Sequence, residues 1–177
     1  MYTLVHRQDK CRITVADDKT FCVKEILDGE LEWEYIQAVT SKSDIYIQPI
    51  DYINSTTFSM EYVHNSIDLH DFFKHKMFNT NTETSFSVCH NAMNVLWEHR
   101  KIIVELQEKY IGIEHTDMTT QNLLVNLDDY SVKIMDIDSI RVKPINYMGA
   151  LTESYKSTLN TIIHMQTYIA ERRDRHA

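Results

Sequence analysis

The stretch "IEHTDMTTQNLLVNLDDYSVKIMDID", from Ile113 to Asp138, decides how the rest of the chain is read. Its apolar, largely β-branched run is interrupted at His115, Asp117, Asn122, Asp136 and Asp138. "NLLV" and "SVKIMDI" flank the polar turn "NLDD" and predict a small hairpin. If that hairpin folds back beside its entry loop, Asp117, Asn122 and the acid at its end meet as three oxygen-bearing side chains. Hard oxygen ligands of this kind suit Mg²⁺, which one or two carboxyl or carboxamide groups hold together with substrate phosphates. Phosphoryl transfer needs such a site, an Asp that orients the attacking hydroxyl, and a cation that positions the phosphates. The competing reading of the same residues is a hairpin whose Asp and Asn side chains only cap turns.

Upstream, "YTLVHR", "CRITVA" and "TFCVKEIL" are short alternating runs separated by "QDK" and "DDK", which predicts a three-strand meander. "GELEWEYIQAVTSK" places Leu31, Tyr35, Ile36 and Val39 on one helical face, with acids in the first turn where the helix dipole favours them. "DIYIQPIDYI" and "TTFSMEYV" predict two more strands joined by "NST", and Pro49 points to an edge position. Residues 1–63 therefore read as a five-stranded antiparallel sheet with one helix. Beyond them the period becomes helical. "SIDLHDFFKHK" predicts a short helix capped by Ser66, "FSVCHNAMNVLWEHRKIIVELQEKY" a long buried one, and "LTESYKSTLNTIIHMQTYIAERR" a final one.

Composition narrows the partners. A chain of 177 residues with 43% hydrophobic residues has the length of one domain and can bury a core. The net charge of -8, with "ERRDRHA" as the one dense basic run, argues against nonspecific nucleic-acid binding and leaves proteins or small molecules. Cys11, Cys22 and Cys89 are odd in number and widely spaced, which fits a reducing compartment better than a disulfide framework or a zinc cluster. No run approaches ~20 apolar residues, so no membrane span is expected, and the first residues lack the pattern of a cleaved secretory signal. His70, His75, His90 and His99 show no metal-ligand spacing.

Taken with its flanks, "HTDMTTQN" followed by "IMDID" resembles the catalytic loop and metal-binding motif of the protein-kinase-like superfamily: His-x-Asp-x-x-x-x-Asn, then an Asp after two short strands. "FCVKEI" resembles that superfamily's third-strand lysine motif, "ELEWEYIQAV" the helix carrying the lysine's Glu partner, and "FSMEYV" the hinge that meets adenine. The resemblance implies an α+β, two-lobed protein-kinase-like fold. Residues 1–63 would form a five-stranded antiparallel N-lobe with one helix. Residues 64–177 would form a truncated, mainly helical C-lobe holding the catalytic loop at 113–122 and the metal-binding segment at 132–138.

It also implies roles. Asp117 would accept or orient the substrate proton, Lys24 would grip the nucleotide phosphates, and Glu32 would pair with Lys24, with Glu30 and Glu34 as fallbacks. The backbone around Glu61, Tyr62 and Val63 would bind the nucleotide base; Asn122 and Asp136 would hold Mg²⁺. His115 would brace the loop, and Asp138 is either a further metal ligand or the mark of a fixed segment. ATP and Mg²⁺ are the implied cofactors.

The sequence departs from the superfamily pattern in several places. "HRQDKCR" stands where a glycine-rich phosphate loop belongs, Asp138 replaces a Gly, Thr116 the Arg before the catalytic Asp, and Thr119 a Lys. Little chain follows Asp138 to build peptide-binding helices, a truncation similar to compact kinase-like effectors of bacterial pathogens and to viral kinases. The expected function is a minimal protein kinase that transfers the ATP γ-phosphate to a protein Ser or Thr hydroxyl without activation-loop regulation. Its partners would be a protein substrate or regulatory protein, host proteins included, in the cytoplasm of the cell or of its host. Two alternatives stand beside it: a pseudokinase that serves as a partner-binding module, and a small-molecule kinase.

Overall fold

A computed structural model describes residues 2–7, 10–143 and 148–174. The turn expected at Gln8 and Asp9, the connection through Pro144 and the end of "ERRDRHA" lie outside the described residues. The alternating first segment forms β1 (Tyr2–Arg7), β2 (Cys11–Ala16) and β3 (Phe21–Ile26). With β4 (Pro49–Asn54) and β5 (Thr57–Glu61) they make one antiparallel sheet in the order β1-β2-β3-β5-β4. Pro49, which lacks an N–H for the ladder, opens β4 at the outer edge of this sheet. In β3 the two-residue period buries Cys22, Lys24 and Ile26 on one face, so the strand itself carries a lysine inward. Helix α1 (Trp33–Thr40) follows β3 and buries Ile36 and Val39.

The second half departs from expectation. Ser66 does not cap a helix; it belongs to β6 (Ser66–Asp68), and the Asp68 side chain caps α2 (Leu69–Asp71) by accepting from Asp71 N at 2.8 Å. A π-helical turn, Phe72–Lys76, continues α2. Helix α3 (Thr82–Leu106) begins inside the polar run that reads as a break, because Asn81 accepts from Thr84 N at 2.8 Å and supplies an N-cap. Then come β7 (Ile113–His115), β8 (Leu123–Asn126), β9 (Val132–Ile134) and β10 (Ile140–Val142), and last α4 (Met148–Asp174). Strands pair as β6-β8-β9 and as β10-β7.

The expected fold class is therefore corrected. The chain is mixed α and β, with four helices and three small antiparallel sheets, not a sheet lobe followed by a mainly helical lobe. Two of the sheets are built from three- and four-residue strands interleaved with the helices. The residues before Pro49 do not join β4: Ile47 N donates to Ile134 O at 2.8 Å and Ile134 N to Ile45 O at 2.7 Å, tying this segment to β9. One hydrophobic cluster runs from Val15 through Phe58, Leu96 and Ile134 to Ile169, so the two expected lobes share a core. Helix α4 packs along α3, with Tyr155 OH donating to Leu96 O at 3.0 Å. Among the described residues no helix is long and apolar enough to cross a membrane.

Candidate functional site

The β8-β9 hairpin returns the chain to the entrance of its own loop, as Met135 N donating to Asn122 O at 2.9 Å records. Asp136 then adopts φ 59° and ψ 41°, a left-handed conformation that a non-glycine residue holds only when its surroundings impose it. A 3-10 turn, Ile137–Ser139, follows with Ile137 fully buried. The turn presents the acids on either side of Ile137 to one partner. Lys24 Nζ donates to Asp136 Oδ1 and, at 2.5 Å, to Asp138 Oδ1. Ser139 Oγ donates to Asp136 Oδ2 at 2.6 Å, and Thr116 Oγ1 donates to Ser139 O at 3.0 Å.

Lys24 is 4% exposed, so its charge exists here only because of these carboxylates. Burial works against the ammonium, but Asp138 and Asp136 outweigh it and hold its pKa above the ordinary lysine value. The two acids diverge. For Asp136, burial opposes ionisation, yet the charge and hydrogen bond of Lys24 and the bond from Ser139 bring its pKa below the usual carboxylate value. For Asp138, burial prevails, aided by the charge of Asp136, and its pKa is raised.

Asp117 stands exposed in the same cleft. Asn122 orients it: Nδ2 donates to Asp117 O at 2.7 Å and to Asp117 Oδ2 at 3.0 Å. His115 lies beneath, Nε2 donating to Met135 O at 3.1 Å while Nδ1 accepts from Asp117 N at 3.4 Å, a pattern that fixes the neutral tautomer. Its burial lowers its pKa and reinforces that state. Behind it His99 Nδ1 bonds the buried Tyr46 hydroxyl at 2.9 Å, and burial pulls His99 down to about 3. The loop is also held from α4, where Thr158 Oγ1 donates to Met118 O at 2.7 Å.

The structure thus brings Lys24, Asp117, Asp136 and Asp138 to one cleft of about 840 Å³, with Asn122 and His115 supporting Asp117. It does not bring Glu32 to Lys24. Helix α1 starts at Trp33, so Glu32 sits at its N-cap and Glu32 Oε2 accepts from Val142 N at 3.2 Å. Asp138, carried in by the 3-10 turn, takes the place beside Lys24 that the helix acid was expected to fill. Of the fallbacks, Glu34 accepts from the Tyr110 hydroxyl at 2.8 Å and Glu30 is exposed. Tyr62 and Val63 line a separate cavity of about 350 Å³ with Leu124 and Lys133, and Glu61 is ion-paired to Lys133.

Several cleft residues escape sequence reasoning. Lys10, Arg141 and Lys143 line it, yet single cations beside short strands look like ordinary solvated side chains. Thr116 and Ser139 act through backbone proximity across β7-β10, which strands of three residues do not advertise.

Among the described residues no group of three or more His, Cys, Asp and Glu side chains converges as a ligand set. The oxygen donors that line the cleft beside Lys24 are the carboxylates of Asp136 and Asp138, a kind of ligand Mg²⁺ accepts when phosphates and water complete its shell, while Asn122 is turned with its nitrogen to Asp117. No protein-family model and no curated protein matches this chain.

Proposed function

We propose that this protein is a phosphotransferase that moves the γ-phosphate of ATP to a Ser or Thr hydroxyl of a protein. One observation carries the reading: a buried lysine held by two acids in the wall of a cleft that also holds an exposed, backbone-anchored Asp. Lys24 would turn from the carboxylates toward the incoming phosphates, and Asp136 and Asp138 would hold Mg²⁺ with Asn122. That ion would offset phosphate charge when bound. Asp117 would orient the attacking hydroxyl and take its proton as the oxygen bonds to the γ-phosphorus and the bond to the ADP oxygen breaks. Asn122 fixes the Asp117 carboxylate for that task, and neutral His115 keeps the loop at its height.

The test is transfer of labelled γ-phosphate to a panel of unphosphorylated proteins in the presence of Mg²⁺. Wild-type protein should label substrate, and Asp117→Asn should lower the rate at least about 100-fold, the usual contribution of a positioned base. Equal labelling by the two would remove Asp117 from the chemistry.

A second reading, a partner-binding module, is favoured by the outer edge strand β4, whose Ile50, Tyr52 and Ile53 are each about half exposed. A thermal-shift titration separates the readings, since ATP with Mg²⁺ raises the melting temperature only where a competent site exists.

A further inference from the structure

The cleft has more cations than Lys24. Lys10, Arg141 and Lys143 reach it from two sides, and among the described residues none of the three is ion-paired. Each is fixed by its backbone. Lys10 O accepts from Leu27 N at 2.8 Å just before β2, which sets this residue beside the end of β3. Arg141 is the middle residue of β10, opposite Glu114 of β7. Lys143 N donates to Gly112 O at 2.9 Å, and Gly112 has φ 88° and no room for a Cβ against the Lys143 carbonyl, so a glycine is required to seat it.

Of the acids of the cleft, Asp136 and Asp138 share Lys24, Asp117 bonds the uncharged Asn122 amide, and Asp28 is exposed. On a chain of net charge -8, a cleft lined by four cations and four acids is locally neutral, and three of its cations are, among the described residues, free of ion pairs. Three such cations along one cleft suit an extended polyanion, and about 840 Å³ is enough for a triphosphate with its sugar.

We propose that Lys10, Arg141 and Lys143 form a side-chain clamp for the polyphosphate of a nucleoside triphosphate, doing with charge what a glycine-rich loop does with backbone N–H groups. The proposal deepens the phosphotransferase reading and rests on it for the identity of the nucleotide, but not for the anion. Arg141 can engage a phosphate with two parallel N–H bonds, while Lys10 and Lys143 act as point charges.

The experiment titrates the full chain calorimetrically with sodium tripolyphosphate, ATP and adenosine, for wild type and for Lys10→Ala, Arg141→Ala, Lys143→Ala and Arg141→Lys. The altered side chains are not in the core, and circular dichroism verifies that each variant folds. Tripolyphosphate should bind wild type, and each alanine variant should weaken tripolyphosphate and ATP roughly tenfold, the loss of one charge-assisted contact, while leaving adenosine unchanged. Arg141→Lys should fall between. Absence of tripolyphosphate binding to wild type, or variants that bind it as wild type does, would overturn the clamp. If ATP is still turned over with an unchanged KM in the three alanine variants, the clamp fails and the phosphotransferase stands. If tripolyphosphate binding depends on the three cations but no phosphate is ever transferred, the clamp stands and the phosphotransferase fails.

Discussion

Asp136 and Asp138 touch the same ammonium, yet their environments favour opposite charge states. The pKa of Asp136 is lowered, so its charge stabilises the fold; that of Asp138 is raised, so its charge is carried at a cost. Asp136→Asn should therefore destabilise by about 2 kcal/mol, in the range of a hydrogen bond to a charged group, and Asp138→Asn by less than about 1 kcal/mol. Urea denaturation at neutral pH ranks the two, and the opposite order would contradict the assignment. His99 adds a pH dependence. It is neutral when folded, with a pKa near 3, and titrates at about 6.5 when unfolded. Below pH 6.5 the unfolded chain binds a proton that the folded one refuses, so stability is present above that pH and is lost as the pH falls. Between pH 7 and pH 5 wild type should lose about 2 kcal/mol more than His99→Gln, which keeps a polar partner for Tyr46. Equal losses would show that His99 does not govern the acid sensitivity.

At the scale of elements, α4 acts as a brace for the loop that carries Asp117. Thr158 is buried and its hydroxyl satisfies the Met118 carbonyl one residue past Asp117. Thr158→Val keeps the volume and leaves that carbonyl unpaired, at a cost of about 1–3 kcal/mol. It should slow phosphate transfer more than it weakens ATP binding, because it loosens the Asp117 loop and not Lys24. Parallel measurement of transfer rate and ATP affinity checks this, and equal losses in both would contradict it. Helices and the strands flanking them were legible where a period could repeat: Val23 and Lys24 in a six-residue strand, Val88 to Leu106 in a long helix. The start of α3 was missed because Asn81 lies in a polar run that looks like a loop until the cap bond at Thr84 is seen. Strands β6, β7 and β10 have three residues each, too few for any periodicity to register.

For the whole molecule, the resemblance implied two lobes divided near residue 63, and one hydrophobic cluster runs across that division, with Tyr46 and Ile47 tied to β9. That contact is nonlocal and leaves no mark in the sequence around either partner. The candidate site was legible where its residues are close in the chain, as Asp117 and Asn122 are, or stand out by type, as a lysine in an apolar strand does. It was not legible in the partner of Lys24, because a 3-10 turn after a left-handed Asp136 decides which acid reaches the lysine. The same turn puts Asp138 beside Asp136, which gives the cleft two carboxylates for one lysine. The most direct measurement is a crystal structure of the protein with a non-hydrolysable ATP analogue and Mg²⁺. The phosphates should lie against Lys24, the ion between Asp136 and Asp138, and the γ-phosphate should face Asp117. Nucleotide bound elsewhere, with Lys24 still closed on its two carboxylates, would contradict phosphate transfer in this cleft.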